Sequence, residues 1–220
     1  MGTLDSAPQG RHDQLLDYAC AGRALPGQAV SGDACLVRPF PDGVLLAVID
    51  GLGHGAGAAE ASRTAIVTLE AADDDASVAA LLERCHARML GTRGAVMTLA
   101  TLRASDDTMA WSGIGNVDAV LLRRPGAAIH EDMALICRGG VVGYRMPAPR
   151  VTLVPLFRGD LLIFATDGIS SRFVEGVDRM ASTDEIAEKL LACYGKPTDD
   201  ALVLVARWLG APGVAGQGIE

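Results

Sequence analysis

Short apolar runs separated by turn residues dominate the chain. Strands are predicted over residues 34–40, 44–49, 96–103, 108–112, 119–123, 151–156, 161–165 and 202–206. VLLAVI and LLIFA carry no polar alternation, which predicts burial. Helical patterning covers residues 57–71, 77–90 and about 183–193, the last with Ser182 or Thr183 as N-cap. The acidic run Asp73, Asp74, Asp75 breaks the first two helices apart. Most links between strands are shorter than the dozen residues that a parallel crossover requires. Residues 98–123 read as an antiparallel meander with turns at ASDD and GNV. Together these elements predict an α+β domain with helices packed over antiparallel sheet.

Composition agrees with one filled domain. Of 220 residues, 50% are hydrophobic and 21% charged, a globular balance. A single domain is expected over residues 14–209, between a polar N-terminal tail, 1–13, and a Gly/Ala-rich C-terminal tail, 210–220. The formal net charge of -8, with no Lys/Arg run, argues against a nucleic-acid partner. An acidic site can still hold a phosphate if metal cations lie between. The five cysteines are scattered without a CxxC pair, as expected of buried thiols in a reducing compartment. The N-terminus has no apolar core and no run approaches a membrane span, so the expected location is cytoplasmic, with no membrane partner.

Three Asp-Gly pairs raise the question of chemistry. Asp-Gly is first a turn signal, and Asp42-Gly43 fits it: a strand, a Pro-Asp-Gly turn and a returning strand. Asp50-Gly51 and Asp167-Gly168 instead end the apolar strands VLLAVID and LLIFATD. A lone buried carboxylate is costly and protonates unless compensated. A divalent cation is one compensator, and helix N-terminal amides are another. Asp33 in SGDACLV and Asp199 in PTDDALVLV also bracket strands. Four carboxylates at strand ends suit hard cations, which take oxygen ligands.

Other readings fit less well. GLGHGA matches a dinucleotide fingerprint, but Glu70, about twenty residues on, falls inside a helical segment, and a hairpin precedes the motif. There is no GxxxxGK[ST] and no Cys followed at the sixth position by Arg. His12, His54, His86 and His130 show no metal-ligand spacing, and only His54 sits beside the candidate site.

The set SGD, AVIDGLGHGAGA, RGAVMTLATL, WSGIGNVDAVLLR, LLIFATDGIS and TDDALVLV resembles the metal-dependent protein phosphatases of the 2C type, in particular their compact bacterial SpoIIE branch. The likeness extends from about Leu15 to Arg207. It implies an αββα sandwich of two antiparallel sheets flanked by helices, with two Mn²⁺ or Mg²⁺ ions at one edge. It makes Asp50 the carboxylate that bridges the ions, with Gly51 giving its carbonyl and Asp33, Asp167 and Asp199 completing the protein ligands. Asp200 is not counted as a ligand. Gly32 stands where eukaryotic relatives carry an acid, and their phosphate-holding arginine has no secure counterpart, Arg23 being a candidate.

The implied reaction is hydrolysis of a phosphoserine or phosphothreonine ester by a water bridging the cations. His54 or a metal-bound water would protonate the leaving alkoxide. The implied partner is a phosphorylated regulatory protein, of the STAS-domain kind, in a stress or sigma-factor pathway. The rival reading is a binding module that keeps the fold and has lost turnover.

Overall fold

The computed structural model describes residues 15–126 and 131–211. The expected tails lie outside the described residues, apart from Gly210 and Ala211. In chain order the elements are β1 (Leu16–Arg23), β2 (Asp33–Phe40), β3 (Gly43–Gly51), α1 (Ala56–Glu70), α2 (Val78–Arg88), β4 (Ala95–Arg103) and β5 (Thr108–Ile114). They continue with β6 (Asp118–Leu122), β7 (Met133–Ala134), β8 (Thr152–Pro155), β9 (Leu161–Ala165), α3 (Thr183–Tyr194) and β10 (Ala201–Trp208). One five-stranded sheet runs β1-β10-β9-β6-β7 and the other β2-β3-β4-β5-β8. Every strand pairing is antiparallel.

The apolar run of β3 shows why four layers form. Side chains alternate across a strand, so an all-apolar strand needs apolar neighbours on both faces. Val44, Leu46 and Val48 face the other sheet, sharing a core with its Leu162, Phe164 and Leu204 and with Trp111 of their own sheet. Leu45, Ala47 and Ile49 face α1 and α2, packing with Ala61, Ala65, Leu69, Leu82 and Cys85. On the far side α3 covers the first sheet, with Ile186 and Leu190 against Ile163, Val203 and Val205. The result is the expected αββα sandwich.

Helix ends follow local chemistry. Ser182 caps α3 in a capping box with Glu185, and Ser77 caps α2 by accepting from Ala80 N. Asp73 and Asp74, in the acidic break, pair with Arg84 and Arg38. The Asp42-Gly43 hairpin forms as expected, and Asp42 also accepts from the backbone N–H and hydroxyl of Ser105.

Three expectations need correction. Residues 98–123 are not one meander: β4 and β5 pair, but β6 belongs to the other sheet, beside β9. The chain changes sheets at Gly115-Asn116-Val117, where Gly115 has φ 99° and Val117 is fully buried. Strands buried on both faces look alike in either sheet, so pattern could not reveal the switch. Strand β1, LDYACAGR, was not predicted, because small and polar residues interrupt its apolar positions, and neither was the two-residue β7. The cysteines are all free, but only Cys85 is fully buried and Cys193 is exposed.

Candidate metal centre

The two sheets bring the acidic strand ends to one open end of the sandwich. Asp33 and Asp50 are direct partners in the β2–β3 ladder. They share strand parity with Cys35 and Val48, so both project between the sheets. Like charges directly opposite one another destabilise a ladder. From the other sheet come Asp167, just after β9, and Asp199, just before β10. Asp50, Asp167 and Asp199 line a cleft of about 330 Å³ together with His54, Asn116 and Thr198.

The electrostatics record the crowding. Burial, followed by the Asp50 charge, pushes Asp33 up to about 8, although a hydrogen bond from Thr166 works the other way. Burial, followed by the charges of Asp167, Asp199 and Asp200, pushes Asp50 up to about 7. Asp199 is raised as well, by burial first and by Asp167 second, with Lys196 opposing. These carboxylates lack a cationic partner sufficient to hold them ionised, and a divalent cation would supply one.

Residues that sequence reasoning left aside hold this arrangement. The buried Thr166 hydroxyl donates to Asp33 Oδ2 at 2.8 Å and accepts from Leu202 N at 2.9 Å, fastening one sheet to the other. Asp200 is buried and accepts from Leu25 N at 2.6 Å and Gly32 N at 2.7 Å, which fixes the SGD turn. Asn116 Nδ2 donates to Asp167 Oδ2 at 2.8 Å. Lys196 Nζ donates to the Asp167 carbonyl at 2.5 Å. The GNV turn and the TDD pair were visible in sequence, but nothing local told which acceptors they would meet.

The glycines are there for close approach. A Cβ on Gly51 would stand 2.2 Å from the Ala58 carbonyl oxygen, so α1 packs directly against the end of β3. That contact also opposes the dinucleotide reading of GLGHGA, because the helix seats on the protein's own backbone. The exposed His54 reaches the cleft, whereas Arg23 lies at the Gly195 turn, with Nη2 2.9 Å from where a Gly195 Cβ would be.

The donor set suits a hard cation, since every candidate ligand is a carboxylate or a carbonyl oxygen. No group of three or more His, Cys, Asp or Glu side chains among the described residues is close enough to enclose an ion as it stands. A bound ion would offset the mutual repulsion of the carboxylates and draw them inward. Among the described residues no helix is long and apolar enough to cross a membrane.

Relatives share this architecture. The chain is 22% identical over 202 residues to the phosphoserine phosphatase RsbX of Bacillus subtilis (strain 168), covering 90% of this chain and 96% of that protein. The structure of RsbX in complex with magnesium matches with a TM-score of 0.78 at 20% identity, over 88% of this chain and 96% of that one. A chain from a structure concerning the bacterial stressosome has a TM-score of 0.78 at 28% identity, over 87% and 99%. The catalytic domain of the serine/threonine phosphatase PstP, in complex with two manganese ions, has a TM-score of 0.64 at 22% identity, over 89% and 99%. The model of the family described as Stage II sporulation protein E (SpoIIE) matches residues 41–209. With most of its length inside that match and the 2C-type sandwich around its carboxylates, the chain belongs to the SpoIIE family of phosphatase domains.

Proposed function

We propose that this protein is a Mn²⁺- or Mg²⁺-dependent phosphatase for phosphoserine or phosphothreonine on a regulatory protein, of the STAS-domain class in a stress or sigma-factor pathway. The observation that carries the reading is the in-register Asp33–Asp50 pair, faced by Asp167 and Asp199 across the cleft. So concentrated a negative charge repels a phosphate unless cations intervene. Two bound divalent cations would supply an acidified water and neutralise the phosphate oxygens.

This chain's residues do the rest. Asp50 and Asp167, with Asp199, Asp33 and the Gly51 carbonyl, would hold the ions. Thr166 keeps Asp33 on station, and Asn116 aims Asp167. His54, exposed on the cleft wall, gives a proton to the departing serine oxygen. The likeness to RsbX, a phosphoserine phosphatase, and to the stressosome neighbour favours a regulatory phosphoprotein as substrate.

The test is hydrolysis of p-nitrophenyl phosphate and of a phosphoserine STAS-domain protein, with Mn²⁺ and with chelator. Asp50→Asn and Asp167→Asn are each expected to lower turnover by about a hundredfold or more, and His54→Ala by about tenfold to a hundredfold. Turnover that survives chelation and both Asp substitutions overturns the mechanism. A folded protein that binds the phosphoprotein without hydrolysing it in Mn²⁺ is the binding module.

A further inference from the structure

Among the described residues no lysine or arginine lines the carboxylate cleft. Arg93 stands just outside it, in the turn between α2 and β4. That turn is tightly built, with Thr92 N donating to the Met89 carbonyl at 3.0 Å and Gly94 N to Thr92 Oγ1 at 3.0 Å. Leu52 N donates to the Gly94 carbonyl at 3.0 Å, which ties the turn to the residue after Gly51.

The guanidinium lies against two glycines of the GLGHGAGA loop. A Cβ at Gly57 would stand 2.6 Å from Arg93 Nε, and one at Gly53 would stand 3.2 Å from Nη1. Nη1 also donates to the His54 carbonyl at 3.4 Å, a long contact. Arg93 is exposed, and it joins no ion pair among the described residues. Beside it Leu52 and Tyr144 are 37% and 80% exposed, apolar surface that a protein covers and a small ester does not. The other nearby cations are placed differently: Lys196 donates to the Asp167 carbonyl, and Arg23 rests at the Gly195 turn.

We propose that Arg93 is a specificity-determining residue that binds a carboxylate flanking the phosphoserine of the substrate protein. The inference rests on the phosphatase reading above. Because Arg93 is not part of the cleft wall, the anion it meets lies outside the cleft that receives the phosphate. A planar guanidinium lying against the glycine loop offers a carboxylate two parallel donors.

The experiment compares the full-length protein with Arg93→Ala, Arg93→Glu and Arg23→Ala in Mn²⁺. The substrates are p-nitrophenyl phosphate and three phosphoserine peptides whose flanking residues are Glu, Gln or Lys. In Arg93→Ala the ratio of kcat/KM for the Glu over the Gln peptide is expected to fall by about three- to tenfold, chiefly through KM. Arg93→Glu is expected to invert the ranking in favour of the Lys peptide, which a merely structural role would not produce. An unchanged ratio overturns the inference, as does an equal loss on every substrate, which would put Arg93 on the phosphate itself. The same shift in Arg23→Ala also overturns it. Absence of Mn²⁺-dependent turnover in the unsubstituted protein defeats the phosphatase reading, and this inference with it.

Discussion

Gly168 and Gly51 follow the two strand-ending aspartates, and backbone contact makes them glycine. A Cβ at Gly168 would meet the Asp200 carbonyl oxygen at 1.8 Å, and one at Gly51 the Ala58 carbonyl oxygen at 2.2 Å. Gly168→Ala and Gly51→Ala are therefore each expected to cost about 3 kcal/mol, since only backbone movement relieves the clash. Gly139→Ala, with nothing within 4 Å of its added carbon, should stay within about 0.5 kcal/mol. Urea unfolding of the three variants separates these outcomes. Arg123 and Asp160 form another constraint, an ion pair at 2.5 Å with side chains 2% and 0% exposed. Asp160 also accepts from Phe157 N at 2.9 Å. Asp160→Ala leaves a buried guanidinium uncompensated and is expected to destabilise by about 3–5 kcal/mol, read as a lower urea midpoint.

The three helices divide by how their starts are satisfied. The capping box of α3 satisfies two N-terminal donors, whereas α1 begins after Gly55 with no side-chain cap. Ser182→Ala is expected to lower stability by about 1 kcal/mol, seen as a lower Tm with unchanged Mn²⁺ binding. The same contrast explains what was legible. Ser182, and the helical spacing after it, placed the start of α3, and the breaks around Asp73 bounded α1 and α2 to within a residue or two. Strand β6 was placed beside the wrong neighbour because Ala119 and Leu121 bury toward one core while Leu122 buries toward another, so periodicity gave no direction. Strand β1 escaped because Ala19, Cys20 and Ala21 are too small to make an apolar run, although they pack well.

Across the molecule the acidic end couples stability to protons and to metal. Asp33 and Asp50 titrate near 8 and 7 in the metal-free fold, against a usual carboxylate value of 3.8. Between about pH 4 and pH 8 the folded protein therefore holds more protons than the unfolded chain, so stability falls as pH rises through that window. The stabilisation by these protons is complete below the unfolded value and gone above the folded ones. Metal-free protein should thus lose Tm from about pH 5.5 to about pH 8.5 more steeply than an Asp33→Asn/Asp50→Asn variant. Saturating Mn²⁺ should raise Tm more at the upper end, where the ligands are already ionised. Equal slopes with and without the two carboxylates, followed by calorimetry, would contradict this account.

The sequence by itself determined that residues 44–49 and 161–165 must be buried, that helices begin near Ser77 and near Ser182 or Thr183, and that four aspartates stand at strand ends. Those properties follow from residue spacing and local hydrogen bonding, which neighbours in the chain can supply. Only the tertiary structure decided that Asp33 and Asp50 face Asp167 and Asp199 from opposite sheets, that Thr166 and Asp200 fasten the two sheets together, and that Arg93 lies on the glycine loop. Such pairings join residues far apart along the chain, and no local pattern encodes which buried strand stacks on which. They arise when two sheets, each apolar on both faces, find the one stacking that buries their shared face.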